Sequence, residues 1–184
     1  MGAGILPVAL YRGTLFLLLG QERHNHLWCD FGGSPNKGES PFKTAIREGS
    51  EELNGFLGSD EDLELTVNCN LVLSICYQKY TTYVFRTKYN KELPYYFSNV
   101  NEFAEQFCKD KIDDKHNGLF EKKTIKWFPI SQFKNKKNNS LLRGHYVELV
   151  NQMVKKEKFI ISEIEKLSNI EYAPNIIESQ ISLS

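Results

Sequence analysis

A dense run of acidic residues and glycines lies between Gly33 and Gly55, with the sequence GSPNKGESPFKTAIREGSEELNG. Of its carboxylates, Glu51 and Glu52 follow Glu48 by three and four residues. On a helix this spacing directs all three side chains toward one site, because residues three and four apart are neighbours on the helix surface. Crowded carboxylates resist ionising together unless a cation neutralises them. The run therefore predicts a Mg²⁺ or Mn²⁺ site that handles phosphates.

Helix signals surround these carboxylates. Ser40 and Pro41 are typical of a helix start, with serine as the N-cap and proline at the first helical position. The pair Asn54-Gly55 is typical of a helix end. The residues expected to form the buried stripe of this helix are Phe42, Ala45, Ile46, Gly49 and Leu53. A glycine inside a helix costs about 1 kcal/mol of helix propensity. Close packing against a strand, which leaves no room for a side chain, would explain why this cost is tolerated, so we expect the helix to approach a strand closely at Gly49.

A solvated acidic face is the alternative interpretation, since most charged runs are of that kind. Six residues of specified type at fixed spacing arise by chance at about 10⁻⁷ per start position. These six are Gly33, Glu39, Arg47, Glu48, Glu51 and Glu52. The glycines of the preceding strand–turn–helix context, Gly32-Gly33, support a functional site independently. We therefore favour the metal site over the solvated face.

The six residues resemble the Nudix box position by position. Trp28–Gly33 resembles the strand that leads into this box, Ile125–Ile130 resembles the late strand of the family, and the segment from Leu141 resembles its closing helix. The resemblance covers most of residues 3–155. It implies an α/β fold, a Nudix-type α/β/α sandwich with a mixed sheet. We expect a single domain over residues 1–167 and a loosely ordered tail over residues 168–184.

The resemblance also implies roles for the site residues. The implied metal ligands are Glu48, Glu51, Glu52 and the carbonyl group of Gly32. Arg47 would hold the acidic side chains in place, and Glu39 would support them from the loop. The implied reaction is attack of water on a phosphorus atom of a diphosphate linkage, in line with the leaving phosphate. The cofactor would be Mg²⁺ or Mn²⁺.

Two positions depart from the box. Gly49 stands where an aliphatic residue is preferred, and Asn54 stands where glycine is preferred. Neither change removes a charge, so the implied activity is retained.

For the general base, the candidate outside the box is Glu121, six residues before Trp127. A solvated loop acid is an equally weighted interpretation of Glu121.

Candidates for substrate contact carry weaker signals. Arg23 would face the site from the end of the second strand, with plain surface charge as an even alternative. Trp28 and Phe31 could stack on a ring of the substrate, although aromatic residues in strands more often belong to the core. His24 and His26 have no evident third metal ligand.

Composition limits the function classes. The chain has 23 Lys and Arg residues and 23 Asp and Glu residues, so its net charge does not indicate a nucleic-acid coat. The basic loop around Lys134, Lys136 and Lys137 is more typical of a solvated loop than of an RNA contact. Four cysteines without zinc spacing indicate free thiols in a reducing compartment. No segment resembles a signal peptide or a membrane span, so we expect a cytoplasmic protein.

The favoured function is a Nudix-type, metal-dependent pyrophosphohydrolase that cleaves a diphosphate linkage in a nucleotide-type small molecule. An mRNA-decapping enzyme acting on an RNA cap and an inositol-pyrophosphate hydrolase are alternatives with the same fold. A ligand-binding or regulatory module without turnover is the alternative from another class. The specific substrate and the oligomeric state are not encoded in the box.

Elements outside the box must position the site. The expected strands are Ile5–Tyr11 and Thr14–Gln21, joined by an Arg12-Gly13 turn, and Leu27–Phe31, Leu63–Asn68, Leu71–Tyr77, Tyr80–Lys88 and Lys123–Ile130. The expected helices beyond the box are Val100–Cys108 and a long one capped by Ser140, with a bend at residues 155–158. Asp110–Gly118 is expected to be a polar loop.

Overall fold

The computed structural model of the protein describes residues 1–112 and 118–171. The strands are β1 Gly2–Tyr11, β2 Thr14–Glu22, β3 Trp28–Cys29, β4 Phe31–Gly33, β5 Leu71–Tyr77, β6 Tyr80–Arg86 and β7 Lys122–Pro129. The helices are α1 Pro41–Glu52, α2 Asp60–Asn70, α3 Leu93–Phe107, α4 Lys109–Ile112, α5 Tyr146–Lys155 and α6 Glu157–Glu171. Two 3₁₀ turns, Ile130–Lys134 and Lys136–Leu141, follow β7.

The strands form one mixed sheet with the order β3-β2-β1-β6-β5, in which β4 also pairs with β1 and β7 also pairs with β2. β1 and β6 are parallel, and the other pairs are antiparallel. The two faces of β1 follow the alternation of a strand. Ile5 and Ala9 pack on the side of α1, and Leu6 and Val8 pack on the side of α5. The predicted α/β/α sandwich with a mixed sheet is thus confirmed.

The hairpin predicted at Arg12-Gly13 is confirmed. Arg12 and Gly13 have φ values of 49° and 73°, and Tyr11 pairs with Thr14 across the turn. Two positive φ angles match the twist of the flanking strands. The strand predicted at Leu27–Phe31 is present in two short pieces, β3 and β4, which separate at Asp30.

The strand predicted at Leu63–Asn68 is wrong, because this segment belongs to helix α2. Ser59 and Asp62 form a capping box at its start: the Ser59 side chain accepts from the Asp62 backbone, and the Asp62 side chain accepts from the Ser59 backbone. Leu63 and Val67, four residues apart, are both fully buried. A short apolar segment fits either period, and here the cap and tertiary burial select the helix.

The helix predicted to start at Ser140 is also wrong at its start, since α5 begins at Tyr146. Ser140 instead donates its hydroxyl hydrogen bond to the Lys137 carbonyl within the second 3₁₀ turn. Leu142 is extended and forms a parallel bridge with Trp28. The predicted bend at residues 155–158 is confirmed, because α5 ends at Lys155 and α6 begins at Glu157.

Two further boundaries differ from the predictions. The helix predicted at Val100–Cys108 is α3, which begins earlier, at Leu93, with a proline in its first turn. α6 continues to Glu171, four residues beyond the expected domain boundary at 167, and the rest of the predicted tail, residues 172–184, lies outside the described residues. In the predicted loop Asp110–Gly118, the first residues belong to α4, and residues 113–117 are outside the described part.

Helix α3 exposes part of its apolar surface. Phe103 and Phe107 contact each other with ring centroids 4.9 Å apart, and both are more than half exposed. Ala104, the residue after Phe103, is buried, as is Phe97. Within the described ranges, no helix has the length and apolar character needed to cross a membrane.

Candidate active site

Helix α1 presents the acidic residues because both of its ends are capped. The Ser40 hydroxyl accepts a hydrogen bond from the Lys43 backbone at 3.3 Å, and Pro41 occupies the first turn. After the helix, Asn54 and Gly55 have φ values of 51° and 71°. The predicted helix start and end are therefore both confirmed. A Cβ atom added at Gly49 would collide with the Ile5 side chain, which confirms the predicted close approach to a strand.

Arg47 joins the carboxylates on the solvent-facing side of α1. Its guanidinium forms a two-point contact with Glu39, with both nitrogen–oxygen distances at 3.0 Å. It also contacts Glu48 at 3.0 Å and Glu51 at 3.1 Å. Bidentate contacts of this kind fix the orientation of a carboxylate. We call Glu39, Arg47, Glu48 and Glu51 the outer cluster.

Glu39 is held as a carboxylate within the outer cluster. Its two oxygens accept from Arg47, and one of them also accepts from the Asn36 backbone at 2.9 Å and the Thr44 hydroxyl at 3.0 Å. The hydrogen bond from Arg47 is the main reason that the pKa of Glu39 falls to about 2. Glu39 therefore remains ionised and anchors Arg47, as a supporting residue would.

Three carboxylates, on Glu48, Glu51 and Glu121, share one region of the surface. Burial and the charge of Glu48 raise the pKa of Glu51, although Arg47 opposes this effect. Partial burial, followed by the charge of Glu48, also raises the pKa of Glu121, which precedes β7. Two glycines leave room for this arrangement: a Cβ atom would meet the Glu48 carboxylate at Gly33 and the Glu51 carboxylate at Gly118.

Glu52 points away from the outer cluster and into the protein. One of its oxygens accepts a hydrogen bond from the Gly32 backbone N–H at 2.7 Å, and the other lies 3.0 Å from the Lys122 ammonium. Glu52 is only 3% exposed, and burial raises its pKa to about 8 despite the opposing effect of Lys122. The neighbours Glu51 and Glu52 therefore have different environments.

Lys122 is the centre of a second, buried cluster. Its ammonium is fully buried and donates to Glu22 at 2.7 Å and to the Cys29 sulfur at 3.3 Å. Its contacts with the Glu52 and Glu22 carboxylates offset the effect of burial and raise its pKa. The Lys122 ammonium in turn lowers the pKa of Glu22. We call Glu22, Cys29, Glu52 and Lys122 the inner cluster.

The sequence analysis missed Glu22, Lys122 and a third buried group, Asp30. Asp30 accepts from the Thr82 hydroxyl at 2.7 Å and the Tyr80 hydroxyl at 3.0 Å, and burial raises its pKa to about 6. The only sequence signal for this pair is that a glutamate, Glu22, ends strand β2 and a lysine, Lys122, begins strand β7, so that their opposite charges could pair. These residues are register partners in the pairing of β2 with β7, which sequence alone does not reveal.

The fit of a divalent cation differs between the clusters. In residues 1–112 and 118–171, no group of three His, Cys, Asp or Glu side chains is already arranged around a metal position. Glu48, Glu51 and Glu121 nevertheless supply hard oxygen donors whose mutual repulsion a cation would relieve. Glu52 is already paired with Lys122, but a carboxylate oxygen can accept more than one contact, so its role as a ligand stays a prediction.

A cavity of about 390 Å³ lies beside Glu121. Its lining residues are Glu22, Arg23, His24, Ile112, Leu119, Phe120 and Glu121. Arg23 forms an ion pair with Glu105 and donates to the Phe120 carbonyl at 3.0 Å. The remaining terminal nitrogen of Arg23, Nη2, is buried and has no hydrogen-bond partner among the described residues. Arg23 therefore has a donor to spare in this part of the structure.

The other residues predicted for substrate contact lie elsewhere. Phe31 is fully buried in the core on the α1 side, so it is a core residue rather than a substrate contact. Trp28 packs edge-on against Phe128 and does not line the cavity. His24 lines the cavity rim, whereas His26 occupies an exposed turn with φ 59°. The two histidines do not form a metal site with other described residues.

Fold and site together define an α/β/α sandwich protein whose carboxylates lie on the helix of a strand–turn–helix unit. The chain belongs to the NUDIX domain family, because the NUDIX domain profile matches residues 2–149. No curated protein matches the chain.

Several solved structures resemble this fold. An Ap4A hydrolase from C. elegans is 16% identical, with 83% of this chain and 93% of that chain covered and a TM-score of 0.47. The Nudix hydrolase RenU from M. smegmatis is 12% identical, with 85% of each chain covered and a TM-score of 0.47. The NUDIX domain of Shewanella oneidensis NrtR, complexed with ADP ribose, is 11% identical, with coverage of 84% and 86% and a TM-score of 0.44. The substrates of such distant chains do not transfer to this one.

Proposed function

We propose that this protein is a metal-dependent pyrophosphohydrolase that cleaves a diphosphate linkage in a nucleotide-type small molecule. The observation that carries the proposal is that Arg47 holds Glu48 and Glu51 together on α1, and that Glu51 lies against Gly118, in the segment whose Glu121 lines a cavity. Membership of the NUDIX domain family supports hydrolase activity in general. The proposed substrate class goes beyond what the family determines.

The proposed mechanism divides the work among the residues of the site. Glu48 and Glu51 would hold the cation, with Glu52 and the Gly32 carbonyl as further predicted ligands. Arg47 keeps Glu48 and Glu51 in place through its contacts with both. The chemistry that Mg²⁺ or Mn²⁺ supplies when bound is neutralisation of phosphate charge and activation of water.

Glu121 is the proposed general base. Its carboxylate would accept the proton of the water that attacks phosphorus. Burial and the charge of Glu48 raise its pKa, and a base whose pKa lies closer to neutral accepts a proton more readily. Its exposed position at the cavity rim allows contact with substrate.

The cavity supports a substrate with a ring and phosphates. Ile112, Leu119 and Phe120 contribute apolar surface on which a base or sugar could pack. Arg23 lines the same cavity, and its guanidinium would donate to a phosphate oxygen, which is the contact that a guanidinium makes best. An RNA-directed enzyme would need a longer basic path, and Lys134 in the basic loop is already paired with Glu157 at 2.6 Å.

A ligand-binding module without turnover is the second candidate. It is favoured by the contact between Glu52 and Lys122 and by the absence, among the described residues, of carboxylates already arranged around a metal position.

For location, we propose the cytoplasm, since all four cysteines are free and reduced thiols are typical of that compartment.

A hydrolysis screen, in which the phosphorylated products are separated by anion-exchange chromatography, tests the proposed function. The full chain is incubated with nucleoside triphosphates, nucleotide sugars, dinucleoside polyphosphates, capped RNA and inositol pyrophosphates, each with Mg²⁺, Mn²⁺ or EDTA. Glu48→Gln is the test variant, and Glu165→Gln, an exposed acid on α6, is the matched control. We expect turnover of one substrate class that EDTA and Glu48→Gln abolish and Glu165→Gln preserves. Tight binding of one compound without turnover would support the binding module instead.

A further inference from the structure

We propose that Asn54 is a positioning residue, whose side-chain amide acts with Asn101 to fix the segment 118–122 against the end of α1 and so places Glu121. The inference rests on the proposed function, because it concerns the proposed general base. It also explains what the side chain of Asn54 contributes at a turn where its backbone conformation alone would suit glycine.

Asn54 bridges two parts of the chain that are far apart in sequence. Its Oδ1 atom accepts a hydrogen bond from the Phe120 backbone N–H at 2.9 Å. Its Nδ2 atom donates to Oδ1 of Asn101 at 2.8 Å. The first contact reaches the segment before β7, and the second reaches α3.

Asn101 completes the bridge from the opposite side. It is 2% exposed, and its Nδ2 atom donates to the Lys122 carbonyl at 2.7 Å and to the Lys123 carbonyl at 3.2 Å. Both Asn101 donors therefore face carbonyl groups, which leaves its Oδ1 to accept from Asn54. The orientations of the two amides are thus determined by the network, because only one arrangement gives every donor an acceptor.

The segment between these contacts needs such support. Phe120 has φ 62°, a left-handed conformation that is uncommon for an aromatic residue and persists where surrounding contacts enforce it. Its N–H is held by Asn54, and its carbonyl is held by the Arg23 guanidinium at 3.0 Å. Gly118 lies against Glu51 without space for a side chain.

These contacts act on Glu121 from both sides, together with the hydrogen bond from the Arg23 backbone N–H to the Glu121 carbonyl at 3.3 Å. Glu121 comes directly after Phe120, whose two backbone groups are both held, and directly before Lys122, whose carbonyl is held by Asn101. Loss of the Asn54 side chain would free the N–H of Phe120 and leave Asn101 without a partner for its Oδ1. Glu121 would then be displaced from Glu48 without any change in the charges of the site.

Asn54→Gly tests this role because glycine adopts the same backbone conformation, φ 51°, without strain. The matched control is Gln78→Gly, which makes the same kind of change at φ 53° in the turn between β5 and β6. Hydrogen exchange of the Phe120 amide reports the anchoring directly. Steady-state kinetics with Mg²⁺ report the effect on Glu121.

For Asn54→Gly we expect exchange of the Phe120 amide to accelerate at least about tenfold, because its side-chain acceptor is lost. We expect kcat to fall between about tenfold and 100-fold with KM changed much less, as a misplaced catalytic group would produce. Gln78→Gly should change neither quantity. A second variant, Asn101→Asp, keeps the acceptor for Asn54 but loses both donors, so it should lower kcat in the same direction.

Unchanged exchange of the Phe120 amide in Asn54→Gly would overturn the anchoring. Faster exchange with an unchanged kcat would overturn the claim that the anchor serves Glu121. If the wild-type protein turns over no substrate, the proposed function fails, and the exchange comparison alone then decides whether Asn54 fixes the segment.

Discussion

Glu51 and Glu52 are adjacent on one helix but belong to two different electrostatic environments. The outer cluster places Glu51 beside Arg47 at the surface, where the guanidinium is 23% exposed. The inner cluster places Glu52 beside Lys122, which is fully buried. The first arrangement leaves carboxylates accessible to a cation and substrate, while the second supplies a cation from the protein itself. A tandem pair of acids therefore serves two purposes because successive helix positions face different directions.

Burial decides how strongly each cluster contributes to stability. Exposed ion pairs contribute only up to about 1 kcal/mol, whereas removal of one partner from a buried pair leaves an uncompensated charge. We therefore expect outer-cluster variants to lower activity with little change in stability, and inner-cluster variants to lower stability whatever their effect on activity.

The largest effect is expected for Glu48→Gln in the outer cluster. We expect kcat to fall by about 10²–10⁴-fold, as for loss of a positioned acidic group, and the free energy of unfolding to change by less than about 1 kcal/mol. Steady-state kinetics and urea unfolding on the same sample measure both quantities. A variant with full activity would show that Glu48 has no part in the chemistry.

The second effect is a loss of stability for Lys122→Met in the inner cluster. Glu22, whose pKa Lys122 lowers, would remain buried and ionised without this cation, so we expect the free energy of unfolding at pH 7 to fall by about 3–5 kcal/mol. Lys123→Met, at the next and exposed position of β7, is the control and should change it by less than about 0.5 kcal/mol. Equal urea midpoints for the two variants would contradict the proposed importance of the buried ammonium.

The third effect is a pH dependence carried by Glu52. Its pKa of about 8 in the folded protein lies above the ordinary value of 4.5. Between these pH values the folded chain retains a proton that the unfolded chain releases, so stability falls as pH rises through this window. With EDTA present, we expect wild-type protein to lose more stability than Glu52→Gln between pH 5 and pH 8. Parallel curves for wild type and variant would argue against a raised pKa.

The smallest effect concerns the contact of Arg47 with Glu39. Lysine cannot reproduce the two parallel hydrogen bonds of the guanidinium, so Arg47→Lys should raise the pKa of Glu39 from about 2 toward its ordinary 4.5. A carboxyl-detected NMR titration measures the change. Lys43→Gln, which removes a separate ion pair of α1 with Glu64, should leave the Glu39 titration unchanged. A pKa that stays near 2 in Arg47→Lys would assign the depression to Asn36 and Thr44 instead.

Local signals predicted many of the elements that carry the site. The hairpin at Arg12-Gly13, the caps of α1 and the strands β5, β6 and β7 follow from turn residues, caps and strand-forming side chains. Helix α2 was missed although Ser59 and Asp62 form a local capping signal, because its apolar residues also fit a strand. The start of α5 could not be predicted from Ser140, since the bridge of Leu142 with Trp28 is a tertiary contact.

The outer cluster follows from local sequence, because helix periodicity places Arg47, Glu48 and Glu51 side by side and Glu39 lies in the loop directly before the helix. The inner cluster and the anchoring of Glu121 depend on tertiary contacts. Glu22 meets Lys122 across 100 residues, and Asn54 meets Phe120 across 66, through the pairing of β2 with β7 and the packing of α3. Contacts between distant segments depend on strand pairing and on burial, and neither has a period that a local pattern could reveal.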